Sequence, residues 1–436
     1  MKNSDVALDK EQKRISPTAN CTSIVLSISI SRLFAVLVAC LPILISFFID
    51  DTYYGPRFFS RTVVSPLAQN SPRDQKKIVT VVIIGAGIAG LKAAHEFRQE
   101  NSRFGGAAAG SIAFDVTILE ATSKFGGRIQ KTDQFVDYPI DLGASFVWDP
   151  MWLAEIANRQ GDDESFHVPT AYISEEGEKC GSLFVNSSWY GFVVDHLSPQ
   201  DNNIVYKCPV NHIKYDGSRV DVSCSSGITY TADMVIVTVP LSILKDGDIQ
   251  FDPPLPSMIV EDHPAHMWQG IKVILEFDNQ FYEEFFSLEE TEVTDEGECE
   301  FWDYSKVKEH TNHSVLAGYF IGEPAHRYTN MTEQEIVDHV VMRLGSYYGG
   351  DIAYHSFVQG GVINWNESPY IRGSYSSRPP PQYFSLPKDE SPNVHQKVFF
   401  AGEAYPYPRD NNGWVHSAAM SGKNAAKHII TIAKKN

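Results

Sequence analysis

Several short segments combine residue types and spacings that can do chemistry. Gly85-Ala-Gly87-Ile-Ala-Gly90 follows directly on Ile78 to Ile84 (IVTVVII), a continuous apolar, β-branched run, and Leu91 to Gln99 then reads as a helix. Between a strand and a helix these glycines have separate tasks. Gly85 permits the tight turn, Gly87 lets the backbone approach a pyrophosphate, and Gly90 lets helix and strand pack closely. The helix N-terminus adds free N–H groups and the positive end of a dipole. A second strand, Phe114 to Leu119, ends in Glu120, a carboxylate suited to accept ribose hydroxyls. The spacing to Glu120 is long, and the Gly/Ala/Ser-rich stretch 105–111 explains it as a loop insertion.

Next come Gly126-Gly127-Arg128 and Asp141-Leu-Gly143-Ala144-Ser145. Paired glycines followed by Arg let a loop pass close to a phosphate while the guanidinium neutralises charge. A nicotinamide enzyme has no need of this second element; a flavin dinucleotide held in extended form does. Further along, Lys272 lies in a strand-like alternating run, Gly270 to Phe277. A lysine pointing inward from such a strand is costly unless it has partners.

With Phe399-Phe-Ala-Gly402-Glu403-Ala404 and Gly413-Trp-Val-His-Ser-Ala418 near the end, the chain resembles the flavin-containing amine oxidase family of polyamine oxidases, monoamine oxidases and flavin histone demethylases. The resemblance covers about residues 78–436. It implies an FAD cofactor held by Gly85, Gly87, Gly90, Glu120, Gly127, Arg128, Gly143, Ala144, Ser145, Val210, Trp365, Gly402, Glu403, Trp414 and Val415. Val210 matches the position whose backbone meets the adenine. The helix starting near Trp414 is expected to aim its N-terminus at the flavin ring. The resemblance also implies that Lys272 binds a water bridging to the flavin. Tyr375 and Trp414 fall where the family places the two walls of an aromatic cage, which aligns an amine and shields it from water. Trp414 is a departure, since Tyr or Thr is commoner there. Ser374 stands where monoamine oxidases carry the cysteine that binds flavin covalently, so the FAD is expected to be dissociable.

The fold class expected is α/β: a Rossmann-like FAD-binding domain (77–150, 204–255 and 396–436) with an interleaved α+β substrate-binding domain (151–203 and 256–395). Val205 to Val222 reads as a hairpin turning at Asp216-Gly217, and Ala232 to Pro240 as a buried strand returning to the FAD sheet. Cys208 and Cys224 flank that turn, either bonded or as two buried thiols. No C-x-x-C occurs, so a metal site has no support. Between Ser145 and the hairpin the family's long helical stretch is cut to about 148–203.

The chain has 436 residues and a net charge of −18, which argues against nucleic-acid wrapping. The run Glu283 to Glu300 holds nine acidic residues and no basic one; it is either a solvated loop or a lure for polyamines near a channel mouth. Leu33 to Ile49 is uncharged over 17 residues, the lower limit for a bilayer span, between a polar segment (1–32) and a linker (50–76). It implies a transmembrane signal anchor with a lumenal or extracellular catalytic body, or else cleavage and secretion or organelle targeting. N-x-S/T triplets at Asn186, Asn312, Asn330 and Asn366 fit a glycoprotein.

The expected activity is hydride transfer from the carbon next to an amine nitrogen to flavin, with reoxidation by O2 to H2O2 and polyamines as the expected substrates. The competing readings are an L-amino-acid oxidase or related flavin enzyme, and a binding protein that keeps the fold without catalysis.

Overall fold

In the computed structural model, residues 77–435 are described apart from 104–110, 149, 160–165, 176–177, 289–296, 308–313, 378–390 and 407–411. They fall within the unit Asn70–Asn436.

The strand Lys77–Ile84 lies inside a six-stranded sheet, parallel to Ile112–Leu119 on one side and to Met234–Val237 on the other. Asn203–Val205 extends the first flank, and Val398–Phe400 then Asn393–Val394 extend the second. Side chains alternate across a strand, so Val79, Val81 and Ile83 enter one core while Val82 and Ile84 enter another. The first core holds Leu91 and Phe97 of the helix Ile88–Arg103 and Ala419 and Ala426 of the C-terminal helix Val415–Lys435. These helices pack with little separation, because a Cβ on Gly422 would lie 2.0 Å from the Ala89 carbonyl oxygen. The second core lies under a four-stranded sheet built on the hairpin Val210–Lys214 and Val220–Cys224. Cys208 and Cys224 are joined as a disulfide with Cα atoms 5.3 Å apart, which resolves the choice left open by the sequence.

A five-stranded sheet carries Lys272. Its strand, Gly270–Phe277, runs antiparallel between Ser314–Gly322 and Phe357–Asn364, and Gly297–Asp303 pairs beyond. All eight residues of this strand are buried, so the alternation in its sequence does not mark a solvent face. Ile271, Val273 and Leu275 pack under the helix Glu333–Tyr348, and Ile274 faces a separate core with Trp302 and Tyr304. Within the shortened stretch before the hairpin, the described elements are the helices Pro150–Ile156 and Trp189–Leu197 and the strand pair Thr170–Glu175 and Glu178–Phe184. Ser188 starts the second helix by accepting the Gly191 N–H.

The membrane placement expected from the N-terminal apolar run is corrected. Among the described residues no helix is long and apolar enough to cross a membrane, and residues 33–49 lie outside them. The anchored, lumenal localisation and the transmembrane element of the fold class are therefore withdrawn. The glycoprotein reading, which rested on that placement, is withdrawn with them; Asn312 lies outside the described residues.

Candidate active site

A cavity of about 880 Å³ gathers nearly all of the expected residues. At one end lies the glycine turn. Gly85 has φ +103°, in the region that favours glycine, and a Cβ on Gly90 would lie 2.1 Å from the Gly85 carbonyl oxygen, so both positions demand the missing side chain. Gly87 differs. A Cβ there meets nothing within 4 Å and projects into open space beside the cavity wall. The Gly-Gly-Arg loop is docked on this turn through the Gly126 N–H to the Ala86 carbonyl at 2.8 Å. Glu120 is buried and oriented by the Ala86 N–H on one oxygen and the Thr122 N–H and hydroxyl on the other. Oε2, which takes a single donor, retains acceptor capacity.

The hairpin brings Val210 and Cys208 to the same wall, and the Cys208 N–H holds the Glu120 carbonyl at 2.9 Å. Arg128 ties the first motifs to the last. Its guanidinium donates to Glu403 at 2.8 Å and to the Ser374 carbonyl at 2.7 Å. The other Glu403 oxygen takes the Ser376 N–H and hydroxyl. This charge pair, with Glu403 buried and Arg128 partly exposed, closes the cavity floor across 275 residues of sequence. Asn412 is buried in the lining, and its Oδ1 has no hydrogen-bond partner among the described residues. An orphaned buried acceptor in a cavity wall is a place for a ligand donor.

The far end is aromatic. Tyr375 lines the cavity with its ring 3.1 Å from where a Gly413 Cβ would lie, beside Trp414. Trp414 packs on Trp148 with centroids 5.2 Å apart and edge-on to His416 at 5.1 Å. Phe146 links Trp148 to Trp302, which shares a strand face with Glu300. Gly143, Ala144, Ser145, Trp365, Gly402 and Val415 also line the cavity.

Lys272 stands apart. It is wholly buried and does not line the cavity. Its Nζ donates to the Asp141 carbonyl at 2.6 Å, the Gly143 carbonyl at 2.9 Å and the Ser145 hydroxyl. The rings of Trp302 and Tyr304 lie 5.1 and 5.8 Å away. Burial lowers the Lys272 pKa to about 7, with the Asp141 charge opposing the shift. Burial pushes the Asp141 carboxyl up, with Lys272 again opposing. Three acceptors for three N–H groups leave an ammonium no donor for a water.

Sequence reasoning missed the inner aromatic wall of Phe146, Trp148, Trp152 and Trp302, and the acceptor of Asn412. Only the Glu300-x-Trp302 alternation offered a signal, and the acidic run obscured it.

These residues fit an extended flavin dinucleotide. The open space at Gly87 suits a pyrophosphate beside the helix N-terminus. Glu120 suits a ribose, and the cavity volume lies at the upper end for small-molecule sites. The NAD(P)-binding Rossmann-like domain matches residues 83–159, and the flavin containing amine oxidoreductase family matches residues 176–430. The chain is 32% identical over 249 residues to lysine-specific histone demethylase 1 homolog 3 of Arabidopsis thaliana, covering 55% of this chain and 15% of that one. It is 23% identical to probable polyamine oxidase 4 of the same plant, over 80% of this chain and 86% of that one. A putrescine oxidase structure bound to putrescine superposes with a TM-score of 0.60 at 15% identity, over 82% of this chain and all of that one, which shows the shared fold. The glycine cradle, the Arg128–Glu403 floor and the match across more than half of the sequence together establish that the chain belongs to the flavin-containing amine oxidase family.

Proposed function

We propose that the chain is an oxidase that binds FAD without a covalent link and oxidises polyamines, with residues 77–150, 204–255 and 396–436 serving the cofactor and 151–203 and 256–395 the substrate. When bound, the flavin supplies the two-electron acceptor for the C–H bond next to the amine nitrogen and passes the electrons to O2 as hydrogen peroxide. The chain's own residues do the rest. Tyr375 and Trp414 present aromatic faces that align a nitrogen and exclude water. Lys272 holds Asp141 to Ser145 against the substrate sheet, so that Gly143 and Ser145 keep their place in the cavity wall.

The observation that carries the polyamine reading is Glu300, a carboxylate on the same cavity as the aromatic end, where a second cationic nitrogen gains from it. Among the described lining residues the Lys and Arg side chains are Lys124 and Arg128, both in the cofactor loop. Among the described residues no guanidinium lines the aromatic end to take an amino-acid carboxylate, which favours amines over amino acids. The similarity to a polyamine oxidase over most of both chains supports the same reading. Ser374 supports dissociable FAD, because a hydroxyl cannot form a thioether.

The test is a panel of spermine, spermidine and leucine with a peroxide readout. Peroxide is expected with the polyamines, and acid precipitation of the same protein should leave its yellow colour in solution. Peroxide from leucine alone would overturn the reading.

A further inference from the structure

Lys272 is a buried cation with no exposure of its own to the cavity. One hydroxyl joins it to that space. Ser145 lines the cavity, touches Lys272 Nζ, and bonds the Tyr304 hydroxyl at 2.7 Å. Tyr304 is itself buried and absent from the lining.

The hydrogen-bond arithmetic of this cluster closes in two ways. As an ammonium, Lys272 donates three N–H groups to Asp141 O, Gly143 O and Ser145 Oγ. Ser145 then turns its own proton toward Tyr304 or the cavity. As a neutral amine, Lys272 keeps two N–H groups for the carbonyls, and its lone pair accepts the Ser145 proton. Tyr304 then donates to Ser145. No heavy atom needs to move between the two arrangements, and no buried group is left unpaired in either. A cluster that satisfies itself with and without one proton is a store for that proton.

We propose that Ser145 is the relay through which Lys272 takes a proton from an amine bound in the cavity, with Tyr304 orienting the serine hydroxyl. This rests on the amine-oxidase reading. A substrate ammonium, R–NH3+, gives a proton to Ser145 Oγ as the Ser145 proton passes to Lys272 Nζ. The products are the free base R–NH2 and the Lys272 ammonium, and no electrons move. The free base is the form whose C–H bond is oxidised, because its nitrogen lone pair is needed to form the imine.

The titratable groups facing Lys272 are Asp141 from the strand Ile140–Asp141, Tyr304 beyond the end of Gly297–Asp303, and Tyr319, its register partner in Ser314–Gly322. Lys131 acts on Asp141 from the paired strand. The lowered pKa of Lys272 supports a neutral amine above about pH 7.

The experiment compares wild-type holoenzyme with Ser145→Ala and Tyr304→Phe. Flavin bleaching by spermidine is followed without oxygen from pH 6 to pH 10, and melting of the same proteins is followed over the same range. The wild type should bleach faster as pH rises through the Lys272 titration. Ser145→Ala should bleach roughly 10- to 100-fold more slowly and lose that dependence, the scale of one proton-transfer group. Its melting curves should keep the pH dependence that Lys272 imparts, because the lysine stays buried. Tyr304→Phe should keep the dependence and lose only part of the rate. Should Ser145→Ala not retain FAD, the pair Ser145→Thr and Ser145→Val, alike in shape with and without the hydroxyl, decides the question. A hydroxyl-free variant with the wild-type rate and pH profile overturns the relay alone. A wild type that spermidine and spermine never bleach overturns the polyamine reading and the relay with it.

Discussion

At the scale of single residues the two ends of the cavity differ in how they use absence and presence. At the cofactor end the decisive feature is a missing side chain. Gly90 and Gly143 are glycines because a Cβ would collide with backbone oxygens, at 2.1 Å from Gly85 and 1.7 Å from Arg128. Gly87 has no such neighbour. Its Cβ would be free in the bare protein, so the demand for glycine there comes from a ligand rather than from the fold. This separates folding from binding in one experiment. Gly87→Val should fold and melt close to wild type but lose its absorbance near 450 nm on desalting, since a side chain would occupy the pyrophosphate's space. A yellow Gly87→Val protein would move the dinucleotide elsewhere. At the amine end the feature is crowding: Trp414 has Trp148 and His416 on its flanks, where the sequence alone suggested one facing partner, Tyr375.

At the scale of elements, the glycine turn and its strands were readable because their signals are local. A run of seven residues, six of them apolar with Thr80 among them, a turn and a helix lie within one stretch of chain, and both faces of that strand carry buried residues. The lysine strand was readable as a strand but not in its surroundings. Its polar residues, Lys272 and Glu276, alternate as on a half-exposed strand, yet tertiary packing covers both faces, giving Lys272 buried backbone acceptors and Glu276 the side-chain amide of Gln359. Those partners are remote in sequence: Lys272 meets Asp141 across 131 positions, and Ser145 meets Tyr304 across 159. No spacing rule reaches that far. The clamp predicts a pH dependence of stability. The folded-state pKa of Lys272 is about 7, below the ordinary lysine value of about 10.4. Below pH 7 both states carry the proton, and the fold bears the full cost of the buried charge. Between about pH 7 and about pH 10.4 the unfolded chain holds more protons, so stability from this group rises with pH. Lys272→Met lacks that rise. The melting temperature of wild type should therefore gain on the variant from pH 6 to pH 10, and a constant gap would show that Lys272 does not titrate there.

At the scale of the whole molecule, 54 acidic against 36 basic residues set a negative field through which any cation approaches. The acidic run that looked like a single feature divides on inspection. Glu283 and Glu284 are engaged with Tyr348 and Lys306, Glu300 reaches the cavity, and 289–296 lie outside the described residues. Two electrostatic effects are then separable. Glu300 acts at contact range inside the cavity, where salt screens poorly. The net charge acts over the approach, where the screening length shrinks from about 30 Å at 0.01 M to about 10 Å at 0.1 M salt. A substrate with several ammonium groups gains from both, and a monoamine of similar bulk gains mainly from the aromatic walls. Raising salt from about 0.02 M to about 0.5 M should therefore lower kcat/KM for spermine by roughly 10-fold through KM, while a monoamine such as benzylamine changes by less than about twofold. Glu300→Gln should weaken spermine at every salt concentration without flattening the salt slope, because the long-range field remains. If the slope disappears with that one carboxylate, the molecule's net charge plays no part in drawing in the amine, and Glu300 carries the whole attraction.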